Sequence, residues 1–158
     1  MAKAREIPGI RPQTAFREAA ARTVEVRTDE VFSFREGVLD TGDIERVHDM
    51  RVATRRLRAV MEVFAPCFPQ KQHRAALRDV KRLADALGER RDPDVSIEAL
   101  EGMASVLTAD DRPGIESLED ELRGQQAAAN EKLAAMLGEV AESDLEGRLK
   151  ALAAEARA

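Results

Sequence analysis

The sequence predicts an all-α fold, an antiparallel bundle of about six helices. Three observations carry that expectation. Of the 158 residues 44% are hydrophobic, yet there are five Phe and neither Trp nor Tyr, a composition that favours aliphatic helix packing over a β-sandwich. Apolar residues recur at the three- and four-residue steps of a helix, and Pro, Gly and Asp clusters interrupt them at short intervals. The length suits one domain with a real core, here residues 12–158, preceded by a flexible N-terminal segment 1–11.

A first helix is expected over about 12–38, where Phe16, Ala20, Val24, Val31, Phe34 and Val38 share a stripe, with Pro12 at its start and Gly37 and Gly42 at its end. Thr41 or Asp43 can cap a second helix that runs to about Ala65, before Pro66 and Pro69. A third, about 70–87, buries Leu77, Val80, Ala84 and Leu87 and stops at Gly88. The stretch GERRDP then reads as a loop, with Asp92 before Pro93 opening a fourth helix over about 93–107. After the loop TADDRPG, a fifth helix covers about 114–140, and Ser143 with Glu146 has the spacing of a capping box for a short sixth.

No run approaches the roughly 20 apolar residues of a membrane span, and the N-terminus lacks the apolar core of a secretory signal. A cytoplasmic protein without a membrane partner is expected. A lone cysteine, Cys67, offers no internal disulfide.

The net charge of -5 hides a segregation of sign. Residues 1–42 carry 7 basic and 7 acidic side chains, residues 43–91 carry 12 and 7, and residues 92–158 carry 6 and 16. A basic middle in an acidic chain points to a local anion site. Within it, VHDMRVATRRLRAVMEVF at 47–64 places His48, Arg51, Arg55 and Arg58 on an arc of about 80°, with Arg56 on its flank and the apolar stripe opposite. An ordinary solvated face is the alternative, but such a face mixes signs, and like charges three and four residues apart repel. Only Glu62, at the edge of the arc, offers a carboxylate from the same helix. The third helix adds Arg74, Arg78, Lys81 and Arg82, so two basic faces are expected to flank one groove, with Arg91 returning to the end near His48.

Other chemistries find less support. Glu45-x-x-His48 has the spacing of a di-iron carboxylate site, but it occurs once and lies beside Arg51, so no metal site is expected. There is no Gly-rich phosphate loop, zinc-ligand cluster or nucleophile elbow, and neither catalysis nor a cofactor is expected. Nucleic acid is a disfavoured partner, because the second helix lacks Asn and Gln to read base edges and the chain lacks a stacking platform.

Two motifs, V-H-x-x-R-V-A-T-R-R-L-R at 47–58 and L-G-x-x-R-D-x-D-V at 87–95, make the chain resemble the CHAD domain family over about residues 12–107. The resemblance implies a CHAD-like helical bundle that binds inorganic polyphosphate without catalysis, in the cytoplasm and in association with polyphosphate granules. By motif position it assigns His48, Arg51, Arg55, Arg56 and Arg58, then Arg91, with Asp92 and Asp94 orienting arginines or capping a helix. Family members usually carry two related helical halves, and residues 108–158 hold no second histidine and arginine helix. A half-length chain with a complete groove, or a homodimer supplying both halves, would account for that. An adaptor or nucleic-acid-binding bundle is the alternative function.

Overall fold

The computed structural model describes residues 3–104 and 106–157. Among them the chain forms α1 (Phe16–Phe32), α2 (Ile44–Val63), α3 (Gln70–Ala104), α4 (Arg112–Glu142) and α5 (Leu145–Arg157), with a single 3-10 turn at Ala65–Cys67. The all-α expectation holds, but five helices replace six. Of the expected segment 1–11, residues 1 and 2 lie outside the described residues, as does Ser105 within the span expected for the fourth helix.

α1 begins later than Pro12 suggests, because residues 11–14 close a turn in which the Arg11 amide donates to Thr14 Oγ1 at 2.9 Å. It ends earlier because the chain turns through Gly37, whose φ of +78° is open to glycine at little cost. Asp144, not Ser143, caps α5: its carboxylate accepts from the Gly147 amide at 3.1 Å. The Ser143 hydroxyl turns back to the Val140 carbonyl at 3.4 Å.

α2 packs between α1 and α3, α4 runs antiparallel to α3, and α5 folds back onto α1. The core joins Val24 and Val31 of α1, Met50 and Leu57 of α2, Val80 and Leu83 of α3, Leu133 and Leu137 of α4, and Leu149 and Leu152 of α5. Each such side chain stabilises the fold by roughly 1.5–3 kcal/mol on burial. Arg157 clamps α5 to α1 through Glu18 at 3.0 Å and Glu25, and Arg148 reaches Asp79 of α3 at 2.9 Å. The contiguous core stops at Leu87 on α3 and at Leu133 on α4. Beyond those residues the two helices continue as a paired arm, α3 alone running on for about 25 Å at 1.5 Å per residue.

The largest departure from the sequence expectation is α3 itself, one helix of 35 residues where two were expected. Gly88 does not stop it, Asp92 does not cap a new helix, and Pro93 lies buried in its interior. An interior proline removes one backbone bond and costs about 3 kcal/mol. What holds the helix straight through is a tertiary network across that turn. Arg90, fully buried, pairs with buried Asp94 one turn on. Its Nε donates to Asn130 Oδ1 of α4 at 3.0 Å, while Gln126 Nε2 of α4 donates to Asp94 Oδ1 at 2.6 Å. Asn130 Nδ2 in turn donates to the Leu39 carbonyl at 3.0 Å, tying the loop before α2 to the same point.

Removing one member of a buried ion pair strands the other charge. Asp94→Ala is therefore expected to lower the unfolding free energy by about 3–5 kcal/mol, read from urea denaturation followed by circular dichroism. A loss under ~1 kcal/mol would show that the network does not hold α3 together.

Candidate functional site

Why the arginines of α2 face outward follows from the helix period. Val47, Met50, Ala53, Leu57 and Met61 are buried against α1 and α3, which leaves the opposite arc to solvent. α2 and α3 run antiparallel: Gly88 lies beside Arg51, with Arg51 Nε 3.9 Å from where a Cβ would stand, and Lys81 shares Glu62 with Arg58. The same register brings His48 level with Arg91.

Between the two helices runs an open groove of about 430 Å³. Arg51, Arg55 and Arg58 form its α2 wall, and Ala84, Asp85, Gly88, Glu89 and Asp92 form its α3 wall. Arg51 is half-buried and Arg55 exposed. Neither has an ion-pair partner among the described residues. Arg58 pairs with Glu62 at 3.1 Å, and Lys81 reaches the same carboxylate at 3.3 Å, closing one end of the row. The Arg58 guanidinium first, and the Lys81 ammonium after it, hold the Glu62 carboxyl below its ordinary range.

The structure thus gathers part of the expected cluster and disperses the rest. Arg51, Arg55 and Arg58 share the groove, Lys81 stands at one end, and His48 and Arg91 stand level at the other. Arg91 is mostly enclosed, 3.9 Å from Glu98, and its Nη1 is buried without a hydrogen-bond partner among the described residues. Arg56 points away to α1, where its guanidinium meets the buried carboxylate of Glu30 at 3.1 Å. That same carboxylate binds Arg27 and accepts the Arg5 amide at 3.2 Å, so Arg56 is a tie within the fold. Arg82 turns to Glu139 of α4 at 2.5 Å. Arg78, widely exposed, lies 3.6 Å from Asp79, and Arg74 is exposed on the first turns of α3. The basic face expected on α3 therefore splits among three directions and does not form the second wall.

What forms that wall was missed. Asp85, Glu89 and Asp92 succeed one another at steps of four and three residues, the spacing of one helical face. The signal was present, but a helix break between Gly88 and Pro93 would have put Asp92 on a different element. The groove is basic on one side and acidic on the other. Asp94, expected to orient an arginine, does so for Arg90; Asp92, expected as a cap, is exposed in the groove.

Among the described residues no group of three His, Cys, Asp or Glu side chains is arranged to hold a metal ion, and no helix is long and apolar enough to cross a membrane.

Glu62 provides a direct check on the end of the row. A carboxyl held low by its partners contributes stability above its unfolded value and loses it as pH falls through the folded one. Its carboxyl carbon is expected to titrate below 4.5 by NMR and to move back up toward 4.5 in Arg58→Ala. An unchanged midpoint in the variant would remove the pairing.

No curated protein matched the chain. The family profile described as the CHAD domain matches residues 22–158, which extends the resemblance past residue 107 to include the whole of α4 and α5. With both signature motifs on adjoining helices of an all-α bundle, and that profile spanning nearly the whole sequence, the chain belongs to the CHAD domain family.

Proposed function

We propose that this protein binds inorganic polyphosphate, without chemical turnover, along the arginine wall of α2. One observation carries the reading. Arg51 and Arg55 line an open groove together with Arg58, and among the described residues neither of the first two has an ion-pair partner. Guanidinium groups offer planar forks of donors matched to phosphate oxygens, each charge-assisted bond contributing roughly 1.5–3 kcal/mol. A chain with one charge per internal phosphate and no bases needs such a row and nothing that reads sequence. Family membership supports the same ligand class.

The α3 wall works against this attraction. Asp85, Glu89 and Asp92 repel phosphate, although Glu89 is partly offset by Lys132 of α4 at 3.0 Å. The ligand is accordingly expected to ride on the α2 side of the groove, touching Arg51, Arg55 and Arg58 and leaving the carboxylates in water.

Four outcomes test the reading. Arg51→Ala/Arg55→Ala is expected to weaken polyphosphate by at least about a hundredfold with its helical circular dichroism intact, because two charge-assisted contacts are lost. Equal retention on a phosphate-chain resin would refute it. Affinity should also fall with salt at a slope of about 0.7 per phosphate neutralised, and single-stranded DNA at equal phosphate concentration should compete poorly. In the opposite direction, Asp85→Asn/Asp92→Asn removes repulsion of about 0.5–1 kcal/mol per carboxylate and is expected to tighten binding about five- to thirtyfold, measured by titration calorimetry. A neutral or weaker double variant would place the ligand elsewhere.

A further inference from the structure

The end of the arm, α3 beyond Ile97 and α4 before Gln126, has no buried side chain among the described residues and is held by pairing. Arg123 of α4 reaches Glu101 of α3 at 3.2 Å, but the contiguous hydrophobic cluster has already ended at Leu87 and Leu133. Its surface is unusual in two respects. Residues 98–121 contain eight acidic side chains and one basic. Large apolar side chains also stand in solvent there, Met103 at 53% exposure and Leu118 at 45%, at about the same level in the antiparallel register that pairs Glu101 with Arg123. Single exposed apolar residues are ordinary; two at one level within an acidic patch make a surface suited to a partner.

The complementary surface lies on the same molecule. On α2 the stretch 51–58 holds four arginines and no acid, three of the arginines facing outward. One and two turns beyond Arg55 the same face carries Ala59 and Val63, the latter 66% exposed. A positive face with an apolar margin on α2 matches a negative face with an apolar margin on the arm. The two cannot meet within one chain, because α3 holds the arm tip some 25 Å from the arginine row at 1.5 Å per residue.

We propose that the acidic arm of one copy docks on the arginine face of a second copy, and reciprocally, about a two-fold axis midway between arm and row along α3. In such a pairing each contact is made twice, Glu116 and Asp120 meeting the partner's Arg51 and Arg55 while Met103 and Leu118 cover the α2 margin. The arm then occupies the row that polyphosphate would occupy, so ligand and second copy exclude each other. The dimer itself stands on the charge pattern alone; only the exclusion rests on the polyphosphate reading.

Sedimentation of the full chain at low salt is expected to show twice the 17.4 kDa chain mass, reverting to one chain in high salt. Glu116→Lys/Asp120→Lys and Arg51→Glu/Arg55→Glu should each be monomeric with unchanged circular dichroism. Mixed in equal amounts, they should dimerise again, since one contact is then native and the other attractive with its signs exchanged. A wild-type chain monomeric at low salt, or a folded mixture that stays monomeric, overturns the proposal. Polyphosphate is expected to convert the dimer to ligand-bound monomers. Polyphosphate bound to an intact dimer would overturn the shared surface, whereas a salt-sensitive dimer that ignores polyphosphate would support the pairing and sink the ligand reading instead.

Discussion

The Arg90 and Asp94 pair, with Gln126 and Asn130 closing around it, is the interaction on which the rest of the architecture depends. It crosses the one turn of α3 that Pro93 weakens, and it does so from inside the protein, where neither charge could persist alone. Through Asn130 it also grips the Leu39 carbonyl and thereby the loop that leads into α2. One buried cluster thus makes α3 continuous, fastens α4 along it, and fixes where the arginine helix begins. Pairs of this kind confer little net stability compared with a well-packed apolar core, so its role here is one of registration.

Most of the fold was legible because helical periodicity survives any choice of tertiary arrangement. The stripe of α1 from Ala20 onward and that of α2 face the core as their spacing requires, although Phe16 at the start of the first stays exposed. The boundary between the expected third and fourth helices was not legible. Gly88, Asp92 and Pro93 each carry a local preference for a break, and local preference lost to contacts with Gln126 and Asn130, residues more than thirty positions away. No reading of a single helix contains that information.

The candidate site divides along the same line. Arg51, Arg55 and Arg58 were placed together correctly, because a shared face on one helix is a matter of angle alone. Arg56 and Arg82 were not, because whether a flanking arginine reaches solvent depends on what the neighbouring helix offers it. Glu30 of α1 and Glu139 of α4 each offer a carboxylate. Asp85, Glu89 and Asp92 escaped notice for a third reason, a misplaced helix end that hid their common face. Errors about single positions were thus errors about neighbours.

The hold that Asn130 keeps on the Leu39 carbonyl reaches further than the loop it fastens. It fastens the chain five residues ahead of α2 from a position on α4 outside either signature motif, while the buried stripe Val47, Met50, Ala53, Leu57 and Met61 sets the side from which the guanidinium groups emerge. The histidine and arginine motif is therefore not a portable cassette. Cut out as a peptide, or grafted onto another bundle without neighbours that bury the same stripe and hold the preceding loop, it would keep its charge but lose its aim.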